Sequence, residues 1–134
     1  MTKRFLITIG LLGALSVLFG AFGAHILNGV ISEKYMNMYN TANEYLMFHA
    51  LALLGLAFVN RYVSRSYMNT IYYFFVIGII LFSGSLFIAS LKELSGFGLG
   101  ALSFVTPIGG ILLLLGWITL IFAGTSYTHN KVHK

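Results

Sequence analysis

Two histidines and three hydroxyl-bearing residues are the side chains of this sequence best suited to chemistry. Ionisable residues are costly in apolar surroundings, so His25 and His49, which lie in or beside long uncharged runs, are candidates for function. Tyr45 precedes His49 by four residues and therefore shares its helix face. Neutral imidazole and hydroxyl groups both donate and accept hydrogen bonds, as a polar ligand requires. The predicted polar cluster is His25, Tyr45, His49, Ser85 and Thr106.

Four roles are open for this cluster. The histidines could hydrogen-bond the chain and lock the helices together, because buried polar groups need partners in any case. The cluster could instead bind or translocate a lipid head group or a small solute. A metal site of His25, His49 and Glu44 is a third reading, since histidine and carboxylate are zinc ligands. The fourth is a Ser83 or Ser85 nucleophile with His49 as its base, for which the sequence offers no orienting acid.

The sequence lacks the residues that several other kinds of chemistry need. It contains no cysteine, which excludes disulfides, thiol catalysis and thiolate metal sites. It contains no aspartate and only three glutamates, Glu33, Glu44 and Glu93, which excludes paired-aspartate chemistry. His129 and His133 stand four residues apart in a basic tail, where we expect them to be solvated. We therefore predict no resident metal and no cofactor.

The elements that must position the cluster are membrane-spanning helices. Charged residues make up only 8% of the sequence and hydrophobic residues 58%, and the mean hydropathy is +0.89, so the chain has too much hydrocarbon for a soluble protein. A helix that crosses a bilayer needs about 20 apolar residues. Four such runs lie at about 5–27, 42–60, 71–91 and 104–124. We predict one all-α membrane domain over residues 1–134, an integral membrane four-helix bundle with a basic tail at 125–134.

The first run also resembles a secretory signal peptide, because basic residues precede it and small residues follow. The apolar part of such a peptide is roughly 7–15 residues long, and this run is longer. We expect it to remain as a membrane span.

The basic residues predict the orientation of the spans. Six of the eight lysines and arginines fall on one side of the predicted bundle, and the three glutamates fall on the other with the remaining two lysines. Because positive residues favour the cytoplasmic side, we expect both termini to be cytoplasmic and the protein to lie in the cell membrane. The net charge of +5 then faces anionic lipid heads, and we predict membrane lipids rather than nucleic acid as partners. The six basic residues are Lys3, Arg4, Arg61, Arg65, Lys131 and Lys134.

Three further local patterns lie between the spans or at the start of the last one. From Ile31 to Asn43, apolar residues recur every three or four positions, which predicts an amphipathic helix at the outer interface with Ser32 as its N-cap. Pro107 suits a first helical turn, with Thr106 as its cap. The glycine-rich link Ser95–Gly100 is read as a turn.

Small residues predict how the helices pack. Close contact between small side chains supplies much of the association energy of helices in lipid. The first span carries its small residues within about a third of the helix circumference, and the other spans carry similar stripes. We therefore expect a tight bundle that also forms a homo-oligomer. The predicted packing residues are Gly10, Gly13, Ala14, Gly20, Ala21, Ala24, Gly109 and Gly116.

Six motifs in a fixed order resemble those of a bacterial membrane-protein family. They are Gly20–His25, Thr41-Ala42 with Tyr45, His49–Leu53, Leu81–Leu86, Thr106–Gly110 and Gly116-Trp117. Together they span nearly the whole chain and resemble domain-of-unknown-function family 423, which is itself similar to the eukaryotic transmembrane protein 256 group. The resemblance implies four helices and an inner-membrane or plasma-membrane location, and it implies no activity. Glu44 and Phe48 depart from the glutamine and tyrosine common in that family.

The function expected from these observations is that of a membrane-embedded binding or accessory factor without catalysis. A small transporter or lipid translocator that uses the same polar cluster is the alternative.

Overall fold

The computed structural model describes residues 1–127, which fold into five α-helices and two short turns of other helical types. Helix α1 covers Thr2–Phe22 and runs on through a π-helical turn at Gly23–Leu27. Helices α2 and α3 cover Glu33–Val59 and Arg65–Ser90. A one-turn helix α4, Lys92–Ser95, and a 3-10 turn at Gly100–Phe104 lead into α5, Val105–Thr125. The tail histidines His129 and His133 lie outside the described residues.

Four of these segments are long and apolar enough to cross a membrane. They contain 26, 27, 26 and 26 residues. At 1.5 Å per residue each is about 40 Å long, which exceeds the roughly 30 Å of the bilayer core. The fold is thus all-α with four membrane-spanning helices, as expected. We call the end that carries Arg4, Arg61 and Arg65 the basic end, and the end that carries the Ser95–Gly100 link the link end.

The segment before the second span differs from the expectation. We predicted a separate amphipathic helix at the interface, but residues from Glu33 onward form one unbroken helix with the span. Two features explain the continuity. No glycine or proline interrupts residues 33–54, and the Tyr39 hydroxyl donates a 2.6 Å hydrogen bond to the Phe19 carbonyl oxygen, which ties this part of α2 to α1. Ser32 does occupy the N-cap position, without a side-chain capping bond.

Helices α2 and α3 form the centre of the bundle, and α1 and α5 flank them. More residues of the central pair are buried than of the outer pair. The bundle centre is filled by apolar side chains that are almost completely buried, among them Leu53, Phe75 and Ile79. Such a packed centre leaves no room for a wide aqueous channel.

Glycines allow α3 and α5 to approach each other closely. A methyl group placed on Gly109 would overlap the backbone nitrogen of Phe82, and one placed on Gly116 would lie 2.5 Å from two ring carbons of Phe75. The same addition at Gly78 would lie 3.1 Å from the Gly109 carbonyl oxygen. These contacts match the way small residues pack helices in lipid.

Hydrogen bonds between helices fix their register. The Ser83 hydroxyl donates to the Ala42 carbonyl oxygen at 2.7 Å, which joins α3 to α2. The Ser16 hydroxyl donates to the Asn43 carbonyl oxygen at 3.3 Å, which joins α1 to α2. Each such bond contributes on average about 0.6 kcal/mol in a membrane protein, so together they favour one arrangement of the helices.

Candidate functional site

His49 lies in the core of the bundle, and both of its ring nitrogens have partners. Nδ1 lies 2.8 Å from the Tyr45 carbonyl oxygen one turn earlier in α2. The indole Nε1 of Trp117 in α5 donates to His49 Nε2 at 3.2 Å. The imidazole is only 4% exposed and packs edge-on against the Phe75 ring, with 5.0 Å between the ring centroids. His49 therefore connects the second, third and fourth spans.

These partners determine the protonation state of His49. An indole N–H can only donate, so Nε2 must be the unprotonated nitrogen, and a carbonyl can only accept, so Nδ1 must carry the hydrogen. The ring is neutral in this arrangement. Neither ring nitrogen of His49 is therefore free to bind a ligand or a metal ion, or to accept a proton from a nucleophile. The geometry favours a role in holding the helices together.

Tyr45 is adjacent to His49 and lies at the edge of the same group. Its ring packs on Phe82 of α3, with 4.7 Å between centroids, and is 38% exposed. It lies 6.1 Å from the His49 ring, nearly parallel to it. Through its carbonyl it accepts the His49 hydrogen bond, so the backbone of Tyr45 rather than its phenol provides the polar contact.

Ser85 and Thr106 form a second polar pair between α3 and α5. Their hydroxyl oxygens lie 2.5 Å apart, and Ser85 also lies within 3.0 Å of the Phe82 carbonyl oxygen. Thr106 was predicted to cap α5, but Phe104 occupies that position and Thr106 lies inside the first turn. Its hydroxyl is turned to the neighbouring helix instead.

His25 is separate from both polar pairs. It lies on the π-helical turn that ends the first span and is exposed. It makes no hydrogen bond, ion pair or ring contact with any residue that the structure describes. The structure thus brings Tyr45 to His49 and Ser85 to Thr106, and it does not bring His25 to either.

The metal and nucleophile alternatives lack the geometry they need. Within residues 1–127, no three histidine, cysteine or acidic side chains lie close enough to hold a metal ion. Ser83 donates to the Ala42 carbonyl and Ser85 pairs with Thr106, so neither serine is hydrogen-bonded to His49. The nucleophile-and-base contact that this chemistry requires is not formed.

Thr106 also lines a pocket at the link end, which we call the link-end pocket. Its volume is about 380 Å3. The side chain of Lys92 lies along its wall, where a methyl group added at Gly98 would meet Lys92 Cδ at 3.2 Å. The lining residues are Tyr35, Met38, Leu86, Ala89, Lys92, Gly98, Leu99, Gly100, Ser103 and Thr106.

The packing residues predicted for the first span fall into two groups. Gly20 faces α2, because a methyl group there would lie 3.2 Å from Asn43 Nδ2. Gly10 and Gly13 have no neighbouring atom within 4 Å of such a methyl group. Ala14, Ala21 and Ala24 are exposed. Most of the small-residue face of α1 is therefore turned away from the bundle.

Reasoning from the sequence missed two residues that matter here. Trp117 entered the sequence analysis only through the Gly116-Trp117 motif, whereas its indole N–H is the donor to His49. An indole N–H in apolar surroundings needs a hydrogen-bond acceptor, and His49 is a polar side chain on another span, so the pairing could have been predicted. Lys92 was used only for its charge, because nothing in the sequence indicates that the link folds back over α3.

Comparisons with known proteins give a consistent picture. The family model described as "Protein of unknown function (DUF423)" matches residues 19–110. The "UPF0382 membrane protein YwdK" of Bacillus subtilis is 37% identical over 126 residues, which cover 93% of this chain and 98% of that protein. The "UPF0382 inner membrane protein YgdD" of Escherichia coli K12 is 40% identical, with 90% of this chain and 89% of that protein covered.

No solved structure matches the chain. The relatives carry names that give a membrane location and no activity. Since the family model covers residues 19–110, which include Tyr45, His49, Ser85 and Thr106, and the relatives extend over nearly the full length, this chain belongs to the DUF423 family of membrane proteins of unknown function.

Proposed function

We propose that this chain is a non-catalytic binding or accessory factor embedded in the membrane, and that it holds an amphipathic ligand in the link-end pocket. One observation carries the proposal. The pocket combines an apolar wall with the Lys92 ammonium, which has no ion-pair or hydrogen-bond partner among residues 1–127. Its volume of about 380 Å3 lies within the usual range of small-molecule sites.

The lining residues suit a ligand with an anionic head and an apolar body. Lys92 supplies a positive charge, and the hydroxyls of Ser103 and Thr106 supply hydrogen bonds nearby. The Ser85 hydroxyl donates to the Phe82 carbonyl oxygen, so Thr106 donates to Ser85 and can only accept a further hydrogen bond. This leaves the Ser103 hydroxyl as the donor to an anionic head. Met38 and Leu86 contribute apolar surface for the rest of the ligand. A fatty-acid carboxylate with the first part of its chain has this chemistry.

The partners of the polar side chains support the non-catalytic part of the proposal. His49 has both nitrogens engaged, and the two serines of α3 are bonded elsewhere. No described group is placed to activate a nucleophile. The histidines, which were the first candidates for binding, are thus replaced as the centre of the proposed site by Thr106 and Lys92.

Photochemical labelling tests the proposed site. Diazirine-labelled oleate is added to the full chain in phosphatidylcholine vesicles, and the adducts are mapped by peptide mass spectrometry. We expect saturable labelling of residues 35–38 and 99–106, which unlabelled oleate competes away. Ala89→Trp fills the pocket and should remove this labelling, because Ala89 lies on its wall.

Two controls make the result specific. Phe58→Trp places the same side chain at an exposed position of α2 near the basic end and should leave labelling unchanged. Labelling of residues 118–122, on the exposed face of α5, should rise linearly with oleate and resist competition. If labelling at the link end were also linear, or insensitive to Ala89→Trp, the proposed binding site would be wrong.

The alternative, a small transporter or lipid translocator, would start from the same pocket. It requires a polar route through the remaining depth of the bundle, where Leu53, Phe75 and Ile79 are packed with almost no exposure. Reconstituted vesicles decide between the two functions. Exchange of fluorescent lipid between leaflets that depends on Lys92 would favour translocation, and binding without exchange favours the accessory role.

The proposal extends to location and assembly. We infer that the chain lies in the cell membrane with both termini in the cytoplasm, on the basis of the six-to-two distribution of basic residues. We also infer a homo-oligomer. The outward turn of Gly10, Ala14, Ala21 and Ala24 supports it, since this close-packing surface has no partner within the described part of the chain.

A further inference from the structure

A small polar cavity lies at the basic end of the bundle, opposite the end that holds the link-end pocket. Its volume is about 110 Å3, which exceeds the roughly 30 Å3 of a single water molecule several-fold. It is lined by Met1 and Arg4 at the start of α1, and by Arg65 and Asn69 in the first turns of α3. We call it the basic-end pocket.

Arg4 is held in a defined position at this cavity. Its Nη2 donates to Asn69 Oδ1 at 2.7 Å. The guanidinium carbon lies 4.2 Å from the centroid of the Tyr72 ring and 5.4 Å from that of Tyr73, which is the distance of a cation–π contact. These contacts come from one helix, α3, and they fix the plane of the guanidinium.

No acidic side chain among residues 1–127 pairs with the two arginines of this cavity. Arg4 Nε is buried and has no hydrogen-bond partner. Arg65 makes no hydrogen bond or ion pair with any described residue. All three glutamates of the sequence belong to the opposite half of the bundle. Two arginines therefore face one small cavity without a counter-charge, next to the N-terminus of α3, whose dipole adds to the positive potential.

We propose that the basic-end pocket binds the phosphate group of an anionic phospholipid. A guanidinium presents its donors as a planar fork that matches phosphate oxygens, and both Arg4 and Arg65 line this cavity. The first span begins at Thr2, so Arg4 lies within its first turn, where the helix meets the head-group layer. Nη2 of Arg4 is held by Asn69 at 2.7 Å and Nη1 by the Tyr73 hydroxyl at 3.4 Å. Each terminal nitrogen carries two hydrogens and so keeps one for a phosphate oxygen. This site is independent of the function proposed above.

Lipid selectivity in vesicles tests this site. The full chain is reconstituted in phosphatidylcholine, and the association of spin-labelled phosphatidylglycerol is compared with that of spin-labelled phosphatidylcholine in roughly 0.15 M salt, which screens exposed charges. We expect a preference for phosphatidylglycerol that falls roughly five-fold in Arg65→Gln, the attraction typical of one basic residue. Arg65 has no hydrogen-bond or ion-pair partner among residues 1–127, so this variant should fold normally.

Arg61→Gln is the matched control. Arg61 and Arg65 are both exposed at this end, but only Arg65 lines the cavity, so removal of Arg61 should change the preference less than two-fold. Arg4→Lys keeps the charge but loses the fork, and we expect it to lower the preference while circular dichroism still shows the native helix content. Equal losses for Arg61→Gln and Arg65→Gln, or no preference in the unmodified chain, would overturn the proposal.

A competition experiment identifies the source of the phosphate. Inorganic phosphate is added to the same vesicles, with sodium chloride of equal ionic strength as the reference. If it displaces spin-labelled phosphatidylglycerol, the site also accepts free phosphate. If it does not, while the lipid preference and its dependence on Arg65 persist, the ligand is phospholipid. Both results support a phosphate site, and loss of the Arg65 dependence under either condition contradicts it.

Discussion

At the scale of single residues, polar side chains inside this bundle are used by the protein itself before any ligand. Trp117 and His49 illustrate this, because each provides the one partner that the other requires. His25 was indistinguishable from His49 as a type of residue in an apolar run. Because His25 is exposed and makes no hydrogen bond, ion pair or ring contact among residues 1–127, we do not expect it to hold the helices together.

The hydrogen bond between His49 and Trp117 should be measurable in the free energy of unfolding. Trp117→Phe removes the donor, keeps most of the ring and leaves His49 Nε2 unpaired, so we expect destabilisation by about 1 kcal/mol. Reversible unfolding in mixed micelles measures it. A double-mutant cycle with His49→Leu should show coupling between the two sites, whereas additive effects would refute the interaction.

His25 provides the contrasting measurement. Because His25→Ala removes no contact with a described residue, we expect the free energy of unfolding to change by less than about 0.5 kcal/mol. We also expect the protein to accumulate in cells at its normal level. A quantitative immunoblot and the same unfolding assay test this. If His25→Ala lowered the amount of protein as strongly as His49→Ala, then the two histidines would share a structural role.

At the scale of helices, glycines decide which pairs come close. Gly109 lies where the backbones of α5 and α3 cross, so Gly109→Ala forces the helices apart and should cost about 1–3 kcal/mol. Gly124→Ala in the same helix is the control, because nothing lies within 4 Å of the added methyl group. We expect the control to be neutral or slightly stabilising. A similar loss for both variants would show that helix flexibility, not contact, is responsible.

The outward face of α1 can be tested for contact between copies. The chain has no cysteine, so one introduced thiol is unambiguous. Oxidation of Ala14→Cys in membranes should give a disulfide-linked dimer, whereas Ile121→Cys, on the exposed face of α5, should not. Linkage at both positions to the same extent would indicate random collision, and linkage at Ile121 alone would assign the interface to α5.

At the scale of the whole molecule, the two ends of the bundle differ in charge and in the pockets they offer. The basic end has unneutralised arginines, and the link end has all three glutamates in its half of the bundle and a larger, mostly apolar pocket. An oriented insertion would place these two sites in different leaflets. The positive-inside rule assigns the basic end to the cytoplasm.

Single cysteines also test the orientation. Phe97→Cys in the link and Ser66→Cys at the start of α3 are exposed at opposite ends. A thiol reagent that does not cross membranes, added to intact cells, should label Phe97→Cys and not Ser66→Cys, and detergent should make both reactive. The reverse labelling pattern would invert the assignment of the two pockets to leaflets without changing the fold.

Composition, the length of the apolar runs and the order of the motifs were enough to predict the fold class, the four spans and the family, because apolar content and run length determine which segments can cross a bilayer. The spacing also indicated Tyr45 with His49, since residues four apart on a helix are neighbours whatever surrounds them. The packing of the helices was needed to show that His49 pairs with Trp117, that His25 lies apart from both polar pairs and that Lys92 and Arg65 line cavities. Those facts depend on how helices distant in sequence rotate against each other, and that rotation is set by the summed contacts of many small residues rather than by any one motif.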